Sequence, residues 1–209
     1  MDILEAYKKN PCGTLSIPYW KSRVVRTPAD MCIIHDTAFS PALLKDYTDT
    51  LYFRLFHDLH PLEDSALADF EIQTAEEQQT DAIVEIINAS YEDLKVDRAQ
   101  VLGYKNTSVY DPQSWIVALE KRMRKIVGCG IAEYDREIGE LILEWIQVLP
   151  EYWGKGVGRA IVKIILNRKR GIARFATVSG KAGGDSGAEK LYRSCGFVGR
   201  DYWHVLRSK

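Results

Sequence analysis

The stretch that decides the fold runs from Glu140 to Val162 and reads ELILEWIQVLPEYWGKGVGRAIV. Leu141, Ile142, Leu143, Trp145, Ile146, Val148 and Leu149 form an apolar run too continuous for a strand with one wet face, so it predicts a strand covered on both faces. Pro150 ends it. Gly154, Gly156 and Gly158 then allow a tight turn poor in Cβ atoms, and the spacing of Val157, Ile161, Ile164 and Ile165 predicts a helix leaving that turn. A strand, a glycine turn and a helix N-terminus in this order make an anion cradle. Main-chain N–H groups without helical partners and the positive end of the dipole point the same way there.

Spacing excludes two familiar phosphate binders. A P-loop needs GxxxxGK followed by Ser or Thr, whereas Lys155 precedes Gly156 and no hydroxyl residue opens the helix. A GxGxxG fingerprint begun at Gly154 or Gly156 would need its third glycine where Arg159 or Ile161 stands. What remains, V-x-P-x-x-x-G-K-G-V-G-R-A over Val148 to Ala160, resembles motif A of the GNAT superfamily of acyl-CoA-dependent N-acyltransferases. A second segment, Asp185-Ser186-Gly187-Ala188-Glu189-Lys190-Leu191-Tyr192 followed by Gly196-Phe197, is similar to that superfamily's N-x-x-A-x-x-L-Y-x-x-x-G-F helix.

The resemblance covers about residues 70–209 as one acetyltransferase domain and leaves residues 1–69 as an N-terminal α+β extension of unassigned role. It implies an α/β fold on a mixed, splayed sheet flanked by helices. It also implies a site. Trp153, Gly154, Lys155, Gly156, Val157, Gly158 and Arg159 would hold the pyrophosphate of coenzyme A, and Ile146, Gln147 and Val148 would lie along its pantetheine arm. Asp185 and Tyr192 would add contacts from the second segment. Two positions depart from the family pattern: Trp153 replaces the usual Arg or Gln, and Asp185 replaces Asn. Asp185 can still cap its helix, since Asp serves there as well as Asn.

Composition sets the outer limits. A chain of 209 residues suits one domain with an appendage and buries roughly 70% of its unfolded surface. Charged residues are 27% and the formal net charge is −1, which gives no electrostatic reason to expect nucleic acid or an anionic membrane as partner. No apolar run reaches membrane-spanning length and MDILEAYKKN is not a basic leader, so a soluble cytoplasmic protein is expected. Cys12, Cys32, Cys129 and Cys195 lie far apart without a CxxC pair, as reduced thiols do. His57 and His60, and His35 beside Asp36, lack companion cysteines and read as structural, so no metal is expected.

Residues 1–69 read as a helix over Asp2 to Lys9, a turn at Pro11 to Gly13, and strands at Trp20 to Val25, Met31 to His35 and Leu51 to Phe56. Next come a strand at Phe70 to Gln73, a capping box from Thr74 to Glu77, and a helix burying Ile83, Ile86, Ile87 and Tyr91. The polar stretch Asp97 to Gln113 corresponds to the part that closes over the acceptor in the superfamily. Glu92, Asp93 and Asp97 there read as a solvated helix end. Strands at Ser114 to Glu120 and Lys125 to Tyr134 flank a basic tip, Lys121 to Arg124, which reads as solvated. Arg168, Lys169 and Arg170 before Gly171 complement a helix C-terminus.

The chemistry follows from what a thioester and an amine need. A primary amine with a pKa of about 10 is mostly protonated at neutral pH, so a base must take its proton before nitrogen attacks. Glu144 on the organising strand is the candidate, with Glu140 behind it on the same face by strand parity. The Val148 N–H, beside the interruption at Pro150, is the candidate donor to the charged oxygen, and the resemblance gives Tyr192 the protonation of the departing thiolate. The expectation is an N-acetyltransferase using acetyl-CoA and a small-molecule or peptide amine in a ternary complex, with homodimerisation left open. The alternative is a catalytically silent acyl-CoA-binding module whose N-terminal unit engages a partner protein.

Overall fold

The computed structural model describes residues 2–63, 67–91, 94–183 and 187–209. In chain order the helices and strands are α1 Ile3–Lys9, α2 Pro11–Thr14, α3 Tyr19–Val24, β1 Met31–His35, β2 Tyr47–His57, β3 Phe70–Thr74, α4 Thr80–Ala89 and α5 Arg98–Gly103. They continue with β4 Trp115–Glu120, β5 Lys125–Asp135, β6 Glu140–Val148, α6 Val157–Lys169, β7 Phe175–Lys181, α7 Ala188–Ser194 and β8 Val198–Ser208. This is the expected mixed α/β class. The chain divides into two compact units, one made of residues 1–57 with 177–209 and the other of residues 58–176.

In the first unit β8 lies between β1 and β2 and is antiparallel to both, so strands from the two ends of the sequence share one ladder. Arg54 on β2 is buried and donates from Nη2 to the Tyr7 hydroxyl at 2.6 Å and from Nη1 to Ser179 Oγ at 3.0 Å, which ties α1 to the sheet. The indole of Trp203 donates to the Cys12 carbonyl at 2.8 Å. Residues Trp20 to Val25, expected as a strand, form the helix α3 instead. Pro18 sits at its N-cap with φ −54, the Ser22 N–H donates to the Pro18 carbonyl, and among the described residues no strand pairs with this stretch to reward extension.

The second unit is built on an antiparallel meander, β3-β4-β5-β6, whose neighbours in sequence pair in space. Helices cover its two faces. Ile83, Ile86 and Ile87 of α4 pack with Val101 of α5 on Trp115, Val117, Cys129 and Ile131. Ile161 and Ile165 of α6 lie against the other face, where Gly128 and Gly130 admit them. A Cβ on Gly130 would stand 2.5 Å from Ile161 Cγ2. The capping box before α4 falls two residues later than the sequence suggested, on Glu76 and Gln79, and a 3-10 turn at Glu77–Gln79 precedes the α-helix. Asp97 and Gln100 form a second capping box that starts α5 within the polar stretch Asp97 to Gln113.

Candidate functional site

The organising strand behaves as two halves. Glu140 to Leu143 are buried, as a strand covered on both faces should be, whereas Glu144 to Val148 are half-exposed. The register explains the break. Leu143 pairs with Ala132 and Trp145 with Ile131, so Glu144 is an inserted residue in a β-bulge. Two residues, Glu144 and Trp145, stand where the partner strand offers one. Beyond the bulge the facing pattern changes phase. Trp145 and Gln147 join Ile131 and Cys129 on the α4 side, while Ile146 and Val148 join Gly130 and Gly128 on the α6 side.

Hydrogen-bond alternation gives these residues a direction. Leu149 N–H donates to the Val127 carbonyl at 2.9 Å, which makes that a hydrogen-bonded pair. Opposed residues alternate in an antiparallel ladder, so the main-chain groups of Val148 and Ile146 point away from β5. The Val148 carbonyl accepts a 2.7 Å hydrogen bond from Trp153 Nε1, which folds the turn back over the strand end. The interruption expected beside Pro150 therefore lies four residues before Val148, at Glu144.

After β6 the chain makes a 3-10 turn at Pro150–Tyr152 and enters the glycine turn. Gly154 and Gly156 take φ values of 76° and 82°, in the left-handed region that favours glycine. Among the described residues, no heavy atom beyond Gly154 and its chain neighbours lies within 4 Å of the position a Cβ would take there. Residues Trp153 to Gly156 are exposed, and Trp153 keeps 60% of its surface in solvent. Gly156 is the N-cap of α6 and has no side chain to cap that end. The first turn thus presents main-chain N–H groups and the positive end of a 13-residue helix beside an open bend. Lys155 Nζ lies 4.7 Å from the Tyr152 ring centroid, so the turn carries a cation as well. Glu151 is held below the usual carboxylate range, chiefly by its own backbone N–H and by Lys125 at 3.2 Å.

Of the two candidate bases, Glu144 is half-exposed on the bulge and Glu140 is 0% exposed at the start of the strand, opposite Asp135. Of the two, only Glu144 is open to solvent. Tyr192 belongs to the first unit. It is buried on α7, with Phe53 and Phe197 at ring-centroid distances of 6.2 and 5.7 Å. Asp185 lies outside the described residues, as do Glu92 and Asp93. His57 packs its ring 5.1 Å from that of Phe197, and the exposed His60 bonds Asp58 at 2.5 Å. Among the described residues the run His57, Asp58, His60 is where three ligand-type atoms come within 4.8 Å of one another, with Asp58 and His60 exposed.

Several features had no clear signal in the sequence. The bulge contains no glycine. Tyr91, just past α4, meets Trp145 edge to face at 5.9 Å, and its hydroxyl accepts from Gln147 Nε2 at 2.8 Å. The basic end of α6 does more than complement the dipole. Lys169 is buried with its Nζ 2.7 Å from Asp111 Oδ2, and Arg168 donates to Thr74 Oγ1 and the Gln113 carbonyl. Burial in turn lowers the Arg168 pKa.

Comparison with known proteins agrees with this geometry. Residues 111–199 match the family model described as an acetyltransferase (GNAT) domain. No curated protein sequence matches the chain. Among solved structures, a GCN5-related N-acetyltransferase from Sphaerobacter thermophilus superposes with a TM-score of 0.71 at 18% identity, covering 90% of this chain and 63% of that one. A GNAT-family acetyltransferase from Colwellia psychrerythraea gives 0.63 at 13% identity, covering 91% and 69%. The ribosomal-protein-S18-alanine N-acetyltransferase from Escherichia coli gives 0.51 at 20% identity, covering 66% and 91%. This chain thus spans less than two thirds of the Sphaerobacter protein. An alignment over 90% of 209 residues also reaches well into residues 1–69, beyond the part the sequence motifs touch. Strand, glycine turn and helix together with these matches show that the chain has the GNAT acetyltransferase fold, and residues 111–199 match the GNAT domain model.

Proposed function

We propose that the chain is an N-acetyltransferase that moves an acetyl group from acetyl-CoA to a primary amine by direct attack in a ternary complex. The observation that carries this reading is the uncapped, glycine-flanked start of α6 following a strand half whose main-chain groups turn away from its partner. That start suits a diphosphate, because N–H groups and dipole act together on it. In this reading Trp153 to Arg159 hold the pyrophosphate of the cofactor, and Ile146 and Val148 offer main-chain groups to its pantetheine arm. Gln147 braces the strand half through its side-chain bond to Tyr91. When bound, acetyl-CoA supplies an activated acyl thioester.

The chain's own residues then handle protons and charge. Glu144 accepts the proton of the incoming ammonium, directly or through a water, since it is the candidate carboxylate in reach of solvent. The Val148 N–H donates to the oxygen that gains charge as nitrogen attacks. Tyr192 protonates the departing thiolate, the role the resemblance assigns to it.

Calorimetry with acetyl-CoA, followed by thiol release across an amine panel, tests the reading. Binding with amine-dependent thiol release is expected. Glu144→Gln should cut turnover roughly a hundredfold or more while leaving acetyl-CoA affinity unchanged. Absence of binding would remove the reading altogether, and binding without turnover on any amine would favour the silent module.

A further inference from the structure

The residues on the α4 side of the open strand half bear on the acceptor. Trp145 packs on the cluster of Ile83, Ile86, Ile87 and Ile131 yet stays only partly buried, so one part of its ring is fixed while another remains accessible. Tyr91 is 38% exposed and stands edge-on to Trp145, and its hydroxyl is bonded to Gln147. This makes a braced aromatic corner. Glu144 is the neighbour of Trp145 in the same bulge, where both oppose Ile131. One short segment therefore offers a carboxylate for an amine and two perpendicular rings for whatever carries that amine.

The surroundings narrow the class. A polyamine needs a second anion along its length, but the described side chains flanking Trp145 on this face are Ile142, Gln147, Ile131 and Cys129. The Cys129 thiol is kept neutral by burial, which pushes it up to about 12. Glu133 and Glu140, toward the far end of the strand, are buried. An amino acid needs a cation for its carboxylate. Lys95 contacts this corner, but its Nζ is bonded to the carbonyls of Asn88 and Tyr91, each at 2.7 Å. A flat apolar body, by contrast, finds an aromatic edge and face already set at right angles.

We propose that Tyr91 and Trp145 form the acceptor subsite and select a monoamine carried on an aromatic ring, an arylalkylamine, with its nitrogen directed to Glu144. This rests on the function proposed above. The test compares 2-phenylethylamine, butylamine and spermidine as acceptors with acetyl-CoA, in the full chain and in Trp145→Leu. The aryl amine should show the highest kcat/KM, and Trp145→Leu should lower the ratio of its kcat/KM to that of butylamine roughly tenfold, mainly through the KM for the aryl amine. Equal use of the three amines, preference for spermidine, or an equal loss for aryl and alkyl amines in the variant would overturn the subsite. If Trp145→Leu does not fold, Tyr91→Leu, at the more exposed ring, is read in the same way. Calorimetry with acetyl-CoA separates the two levels: without cofactor binding the proposed function fails, whereas cofactor binding with indifferent acceptors removes the aromatic subsite alone.

Discussion

The two ends of α6 are built by opposite rules. At the C-terminal end Lys169 is buried against Asp111, Arg168 is bonded to Thr74 and Gln113, and Gly171 turns the chain away at φ 75°. At the N-terminal end Gly156 has no side chain to cap the helix, and the glycines before it stand open to solvent. A helix held this firmly at one end keeps the other end's N–H groups in a fixed direction without local ties. One end of the element is thus anchored while the other is left open.

Breaking the anchored end should give the largest effect. Asp111→Ala leaves the Lys169 ammonium buried without its carboxylate and should cost about 3–5 kcal/mol in urea denaturation. Asp111→Leu combined with Lys169→Met should recover most of that, because no isolated charge remains. At the open end, Gly156→Val forces a β-branched residue to φ 82° and should cost about 1–2 kcal/mol, with a matching fall in acetyl-CoA affinity by calorimetry.

Two smaller effects sharpen the contrast. Under the open strand half, the folded chain keeps the Cys129 proton up to about 12, whereas an unfolded thiol loses it near its ordinary 9.0. The stability from this group is therefore complete below about 9 and declines as pH rises toward 12, and Cys129→Ala should flatten that alkaline fall in thermal melts. Smallest of all, Trp153→Phe removes one exposed indole bond to Val148 and, with the anion held by main-chain groups as proposed, should leave acetyl-CoA affinity within about twofold. A loss of tenfold or more would move the binding from the main chain to that side chain.

The apolar run, Pro150 and the glycines made β6, the turn and α6 legible, because each acts through local backbone preference. The bulge at Glu144 was not legible. It is a mismatch between two strands rather than a property of either, and no glycine marks it. For the same reason strand parity could not foresee that Trp145 would pair with Ile131 after an inserted Glu144. The buried Lys169 read as a helix-end cation because its partner, Asp111, is distant in sequence and sits in a polar stretch. Trp20 to Val25 looked like a strand for lack of any view of its neighbours, and in their absence Pro18 and local hydrogen bonds make a helix. Tyr192 illustrates the remaining limit. Its motif was plain, but its packing against Phe53 depends on a strand from the other end of the chain.

The ladder between β2 and β8 carries a consequence for how the molecule assembles. Thr48 donates to the Arg207 carbonyl across 159 residues, whereas β4, β5 and β6 join successive neighbours through short turns. Closing so long a loop costs entropy before any pairing repays it, and such contacts form slowly. During synthesis, residues 47–57 leave the ribosome long before β8 exists, so β2 waits as an unpaired edge while the meander is already free to fold.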